Sequence, residues 1–293
     1  MTLLEVIESD EFALAVSRRT GIPAAPTLAN IASEVRLALD LLSRPPAGPL
    51  QPSHRVLEVG AGSGVLSSIL RQRGINVTAV EPLIPGFGVF GAIRDELRER
   101  DPAVLAPLDH RSAHELNPVR DGLFDRIFSI NVIEHCKPLN EALSAMANVL
   151  APGGMMIHTC PNYRVPYEPH FRVPLLPVRP EATARLRPGL AGDPVWQSLN
   201  FVTAGDLRRF AKGSGLTIRF EPGVLAEVTR RLKTDAAFAQ RQGWAGRVAR
   251  TLARANVLGL VNRLPATWLT PMVTVFTKPA TAETGASSAG TSG

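Results

Sequence analysis

Cysteine is scarce in this chain: only Cys136 and Cys160 occur among 293 residues, and they form no C-x-x-C pair. That excludes a cysteine-based zinc or redox centre and a disulfide-stapled fold, and it fits a reducing, intracellular setting. No apolar run approaches the ~20 residues needed to span a bilayer. The opening MTLLEVIESDEF carries acids where a signal peptide carries positive charge. A cytoplasmic protein, not integral to a membrane, is expected. What the chain does have is apolar substance: 45% hydrophobic and 20% charged residues, enough to bury a core without covalent staples. The length suits one α/β domain with additions.

The net charge of +6 is unevenly spread. Eight lysines and arginines between residues 225 and 265 are opposed only by Glu227 and Asp235. Within that stretch Trp244, Val248, Leu252, Ala255 and Leu258 share one side of a predicted helix, and Arg247, Arg250 and Arg254 another. Such a helix over 244–264 can pack beside the sheet with its arginines in water, or make peripheral contact with an anionic membrane.

Leu28, Ile31, Val35, Leu39 and Leu42 recur at helical steps, so residues 1–50 read as an N-terminal helical extension closed by PPAGPLQP. From Arg55 onward, short β-branched runs alternate with helical segments, which predicts a mostly parallel sheet with helices on both faces. Strands are expected at 55–59, 76–80, about 104–108, 124–130, 155–160, 216–220 and 272–277. Helices are expected at 65–73, 89–100, 139–150 and 203–214. Pro152, Gly153 and Gly154 predict a tight turn into the fifth strand. The domain so defined runs from 51 to 278 and contains a proline- and aromatic-rich segment at 161–200 and the basic helical insertion at 223–268. Residues 279–293, small and polar, are expected to be disordered.

The strongest motif is VLEVGAGSGVLSSIL at 56–70: a strand, Gly60, Gly62 and Gly64, then a helix. Glycines let the backbone turn sharply and approach a ligand, and the helix start presents free N–H groups. A dinucleotide fingerprint would place its third glycine at 65, which is valine. Glu58, two residues before the loop, would repel a diphosphate but attract the ammonium of a methionine moiety. The loop therefore favours S-adenosylmethionine over NAD. Glu81, at the end of the next strand, can accept both ribose hydroxyls of either nucleoside.

Taken together, E-V-G-A-G-S-G, V-E-P, F-D-R-I-F-S-I-N-V-I-E-H and L-A-P-G-G resemble the class I S-adenosylmethionine-dependent methyltransferases of small-molecule type. The resemblance covers 55–160 well and 201–220 moderately. It implies a three-layer, Rossmann-like α/β fold with a seven-stranded sheet and S-adenosylmethionine as cofactor. It also implies that Ser112 and Ala113 meet the adenine, although many members carry aspartate where this chain has Ser112. Asn131 matches a position beside the methionine portion and the transferable methyl.

Methyl transfer from a sulfonium needs alignment and a deprotonated acceptor. His135 resembles the histidine that follows this strand in ubiquinone-biosynthesis O-methyltransferases, and it can act as a base or only order its loop. The segment CPNYRVPYEPHFRVPLLP, at 160–177, reads as a lid over the acceptor and offers His170 as a second base. Glu134 reads as an orienting residue. No metal is expected, because no tight ligand spacing appears in sequence. The reading is thus methyl transfer to an O or N atom of a small-molecule, glycan or lipid-precursor acceptor. An NAD-dependent oxidoreductase and a non-catalytic nucleotide-binding module are the alternatives. No nucleic-acid partner is expected, because the D/N-P-P-Y/F motif of amino-methylating DNA enzymes is absent.

Overall fold

A computed structural model describes residues 1–45, 48–82, 86–222, 251 and 264–280. Apart from Thr251 and Leu264, the predicted helix over 244–264 lies outside the described residues, as does most of the tail. Three helices open the chain: α1 (Leu3–Ile7), α2 (Asp10–Thr20) and α3 (Ala25–Ser43). Thr2 caps α1 in a reciprocal box with Glu5, and Gly21 ends α2 in the left-handed conformation.

Alternation follows: β1 (Arg55–Val59), α4 (Val65–Gln72), β2 (Asn76–Val80), α5 (Gly88–Arg100), β3 (Leu108–Asp109), the single turn α6 (Pro118–Asp121), β4 (Phe124–Ile130), α7 (Leu139–Asn148) and β5 (Leu150–Cys160). A hairpin of β6 (Tyr167–Glu168) and β7 (Val173–Pro174) precedes the short helices α8 (Thr183–Leu186), α9 (Pro188–Ala191) and α10 (Pro194–Ser198). The domain closes with α11 (Ala204–Ser214), β8 (Thr217–Phe220) and β9 (Met272–Thr277).

The main sheet has seven strands in the order β3-β2-β1-β4-β5-β9-β8. Pairs from β3 to β5 are parallel, and β9 runs antiparallel to both its neighbours. This is the Rossmann-like, three-layer arrangement expected from the alternation of strands and helices.

Side chains of a strand alternate between faces, and the two cores follow that rule. Leu57, Ile127, Met156 and Phe276 face α7 and α11. Their neighbours Val56, Phe128, Ile157 and Val275 face α4, α5 and the N-terminal helices, which contribute Ile7, Phe12, Val16, Leu28, Ile31 and Val35. The N-terminal helices therefore complete one layer of the sandwich.

Strand boundaries match the sequence reading within a residue or two except at two places. The third strand is only Leu108–Asp109. The fifth begins at Leu150, not after a turn at Pro152–Gly154. There the strand runs through the Pro-Gly-Gly run, and its register against β4 shifts between Phe124 and Arg126. Gly153 (φ 73°) donates to Lys278 O at 3.0 Å, and a Cβ on Gly154 would lie 2.8 Å from Ala151 O. The glycines thus make an irregularity inside the strand.

The chain crosses from β1 outward to β2 and β3, then returns to place β4 on the other side of β1. At such a reversal the loops leaving adjacent strands diverge and open a crevice at the carboxyl ends. Among the described residues no helix is long and apolar enough to cross a membrane.

Candidate active site

The crevice is a cavity of about 290 Å³ lined by the loops after β1, β2 and β4, by α3, and by His170. The glycine loop builds its floor. Gly60 and Ala61 N–H both donate to Val80 O (2.8 and 3.1 Å), so the chain turns back on itself as it leaves β1. Gly60, Gly62 and Gly64 have φ of 72°, 55° and 76°, a region that side-chain-bearing residues seldom adopt. At Gly60 space forbids a side chain as well, since a Cβ would lie 2.3 Å from Val132 Cγ2. Gly60→Ala is therefore expected to deform the loop and lower affinity for the nucleoside at least tenfold, measured by calorimetry; the folded protein should also lose about 1–3 kcal/mol in urea.

Carboxylates surround this loop. Glu81 accepts the Gly62 N–H at 2.8 Å, and burial lifts its pKa. Glu58 is bonded by the Ser67 hydroxyl, and burial pushes its pKa up to about 8. Glu34, on α3, also lines the cavity; burial raises its pKa although Asn131 Nδ2 donates to it at 2.8 Å. Asn131 leaves β4 with φ 54°, and its N–H is bound to Thr159 O at 2.8 Å, so its amide turns toward α3. No lysine or arginine lines the cavity among the described residues. Three acids with no lysine or arginine among them suit a positively charged nucleoside and disfavour a diphosphate.

Ser112 and Ala113 lie outside the lining of this cavity. Ala113 is buried in the core beside α7, and Ser112 starts a short 3₁₀ turn where its N–H meets the Glu115 carboxylate at 2.8 Å.

Two histidines converge at the other end. His135 ends a 3₁₀ turn, Ile133–His135, directly after β4. Asn200 clamps that turn: its Nδ2 donates to Ile133 O and Cys136 O (2.7 and 2.8 Å), and its N–H to Glu134 O (2.8 Å). His170 follows the β6 strand, and its ring stands edge-on to that of His135 at 5.2 Å. Tyr163, Phe171, Trp196 and Phe201, in edge-to-face contacts of 5.2–5.7 Å, pack this segment onto the domain.

Their hydrogen bonds fix the tautomers. Ser198 Oγ lies 2.7 Å from both His135 Nδ1 and Val195 O. A hydroxyl has one proton, so both contacts are hydrogen bonds only if His135 Nδ1–H donates to Oγ and Oγ–H donates to Val195 O. Nε2 of His135 then carries a lone pair; it is buried and has no partner. Burial, with the charges of His170 and Lys137, lowers the His135 pKa to about 3. His135 is therefore neutral across the physiological range.

His170 is the opposite case. Its Nδ1 meets Glu168 Oε1 at 2.6 Å, and Glu168 also accepts from Tyr163 O–H (3.2 Å) and Phe171 N–H (2.7 Å). Burial opposes a charge on His170, but Glu168, with Glu134 and Glu34, outweighs it and raises the pKa. Behind both rings sits Glu134, fully buried, with neither carboxylate oxygen hydrogen-bonded and a pKa raised by burial to about 8.

The fold thus assembles Glu58, Gly60, Gly62, Glu81, Asn131, His135 and His170 around one cavity, while Gly64, like Ser112 and Ala113, lies outside its lining. It adds residues the sequence reading did not single out: Glu34 as a third cavity acid, Asn200 as the clamp of the histidine turn, and Ser198 as the partner of His135. Thr27, Asn30 and Glu34 follow helical steps beside the apolar stripe of α3, a polar seam that could have marked the helix as cavity-facing.

Comparison with known proteins identifies the family. The methyltransferase-domain family matches residues 30–219. A Mycobacterium tuberculosis protein of uncharacterized function is 37% identical over 257 residues, covering 84% of this chain and 85% of that protein. The malonyl-[acyl-carrier protein] O-methyltransferase of Serratia marcescens is 29% identical, covering 67% and 78% of the two chains. The ubiquinone biosynthesis O-methyltransferase of Xanthomonas axonopodis pv. citri is 27% identical, covering 76% and 85%. Among solved structures, the magnesium protoporphyrin IX methyltransferase of Synechocystis with bound S-adenosylmethionine superposes with a TM-score of 0.45 at 13% identity, covering 86% and 83%. The family match over residues 30–219, with the glycine loop and the sheet order, places the chain in the methyltransferase-domain family, among the class I S-adenosylmethionine-dependent methyltransferases.

Proposed function

We propose that the protein methylates an oxygen or nitrogen atom of a small-molecule acceptor, with His170 as the proton acceptor and His135 as a neutral positioning partner. The observation that carries this reading is the pair of imidazoles with Nδ1 occupied and Nε2 left for the acceptor, at one end of a cavity whose other end is acidic. S-adenosylmethionine, when bound there, would supply an activated methyl group on a sulfonium.

The chain's own residues hold that cofactor and prepare the acceptor. Glu81 accepts the ribose hydroxyls, Glu58 faces the methionine ammonium, and the backbone of Gly60, Gly62 and Gly64 allows close approach. Asn131 would orient the methionine portion, and the adenine would extend from the cavity toward Ser112 and Ala113. At the acceptor end His170 Nε2 takes the proton from a hydroxyl or ammonium, and Glu168 stabilises the imidazolium that results. His135 Nε2 accepts a hydrogen bond from the same acceptor and fixes its direction. The lipid-precursor and glycan acceptors, and peripheral membrane contact through 244–264, belong to the same reading.

Glu58 supplies a prediction about protons. A carboxyl with a pKa near 8 is mostly protonated at pH 7. A cationic ligand favours its ionised form, so binding should release protons, and affinity should rise from pH 6 up to about 8. Calorimetry in buffers of different ionisation enthalpy measures the release; proton uptake would contradict the assignment of Glu58.

The functional test is transfer of label from methyl-labelled S-adenosylmethionine to a metabolite extract. Label should appear in a low-molecular-weight product and be lost with His170→Ala. If the cofactor binds and label moves to no acceptor, the chain is a nucleotide-binding module without turnover.

A further inference from the structure

We propose that Glu134, His135 and His170 form a binding site for one divalent transition-metal cation at the acceptor end of the cavity. One donor atom from each residue lies within 4.8 Å of those of the other two. Sequence spacing conceals this, because His170 arrives from the lid segment after the β6 strand.

The donor chemistry points to a ligand. Glu134 is fully buried with both carboxylate oxygens unpartnered, and His135 Nε2 is buried and unpartnered as well. Buried polar atoms are nearly always paired, so three such atoms side by side mark a missing partner. A cation held between them would satisfy all three at once; no lysine or arginine lines the cavity among the described residues, and the His170 imidazole, the charge-bearing group nearby, makes no hydrogen bond to Glu134. The nearby Lys137 ammonium is directed to Gln197 O.

The supporting groups are those a metal site uses. Metal-ligating histidines hold one ring nitrogen with a carboxylate or other acceptor so that the second faces the ion. Glu168 does this for His170, and Ser198 for His135. Asn200 fixes the turn that carries Glu134 and His135 together. Two imidazoles and one carboxylate suit zinc, manganese, iron or cobalt better than magnesium, which prefers oxygen donors throughout. Bonds of about 2.0–2.2 Å would draw the three donors inward from their present spacing. Three protein ligands leave a position for an acceptor hydroxyl, whose pKa the cation would lower; the ion then replaces the proton on His170 as the positive charge of the site.

The use of the cation in catalysis rests on the methyl-transfer reading, whereas its binding does not. Full-length protein stripped with EDTA is titrated with Zn²⁺ by calorimetry and with Co²⁺ by visible absorption, without cofactor or acceptor. One equivalent should bind, with the absorption bands of a nitrogen-ligated Co²⁺ centre. Glu134→Gln and His135→Ala should each lower affinity at least tenfold, and Glu168→Gln should lower it less. Circular dichroism and S-adenosylhomocysteine binding identify variants that have failed to fold; His135→Ala serves if Glu134→Gln is one of them. No saturable binding below about 1 mM, or affinity unchanged in the folded variants, overturns the proposal. Metal binding without nucleoside binding would instead overturn the methyl-transfer reading and leave the ion site standing.

Discussion

Glu81→Ala is expected to weaken binding of S-adenosylhomocysteine by about 100-fold or more, with the fold intact. The carboxylate stands at the end of β2, lines the cavity and holds the Gly62 N–H at 2.8 Å. Two ribose hydroxyls donating to one carboxylate contribute about 1.5–3 kcal/mol each, because hydrogen bonds to charged groups are stronger than neutral ones. Alanine removes both and also frees the Gly62 amide, loosening the loop that must fit the nucleoside. Glu81→Gln should recover part of the loss, since an amide oxygen still accepts one hydroxyl. Calorimetry on the two variants separates these contributions. Wild-type affinity in Glu81→Ala would remove this residue from the cofactor site.

The second large effect belongs to His170. His170→Ala should lower kcat by about 10²–10⁴-fold and leave S-adenosylhomocysteine affinity unchanged, because a positioned base contributes in that range. The loss is expected whether the cluster works with a proton or with the cation inferred above. In the metal-free enzyme the pH profile carries further information. His170 has its pKa raised, so the acidic limb of kcat should lie above the ordinary histidine value; below it the imidazole is already protonated and cannot accept. Glu168→Gln removes the charge that holds the pKa up and should move that limb to lower pH. His135, lowered to about 3, contributes no limb between pH 5 and 8. His135→Ala should reduce turnover through lost positioning and leave the limb in place.

On the proposed function the two histidines exchange the order of importance assigned to them in the sequence analysis. His135 stands in N-V-I-E-H at the end of β4 and drew attention through its resemblance to other enzymes. Its burial and its Nδ1 bond to Ser198, 63 residues away, make it a hydrogen-bond acceptor instead of a proton store. His170 gains its basicity from Glu168, two residues earlier on the β6–β7 hairpin. That pairing requires the hairpin to bring an i, i+2 pair to one side, which a proline-rich sequence does not announce.

The elements that were legible are those governed by local rules. The strand, glycine loop and helix at 56–70 have a period change and three positive-φ glycines within fifteen residues, and β1, β2, β4 and β9 appear with the bounds their β-branched runs imply. Less legible was β5, where Pro152–Gly154 lies inside the strand because β9 and Lys278 supply partners for its irregular backbone. Glu34 was hidden for another reason: the helical stripe of α3 identifies the buried face, and only tertiary packing turns the polar seam beside it toward Asn131. Clusters such as Glu134, His135 and His170 depend wholly on chain closure.

Calorimetry of the wild-type protein with S-adenosylhomocysteine and, in parallel, with NAD tests the central claim that an acidic glycine loop holds a methionine-bearing nucleoside. One saturable site with a micromolar Kd for the nucleoside, accompanied by proton release and no heat from NAD at about 1 mM, is the expected result. Saturable NAD binding, or silence from S-adenosylhomocysteine at that same concentration, would contradict it.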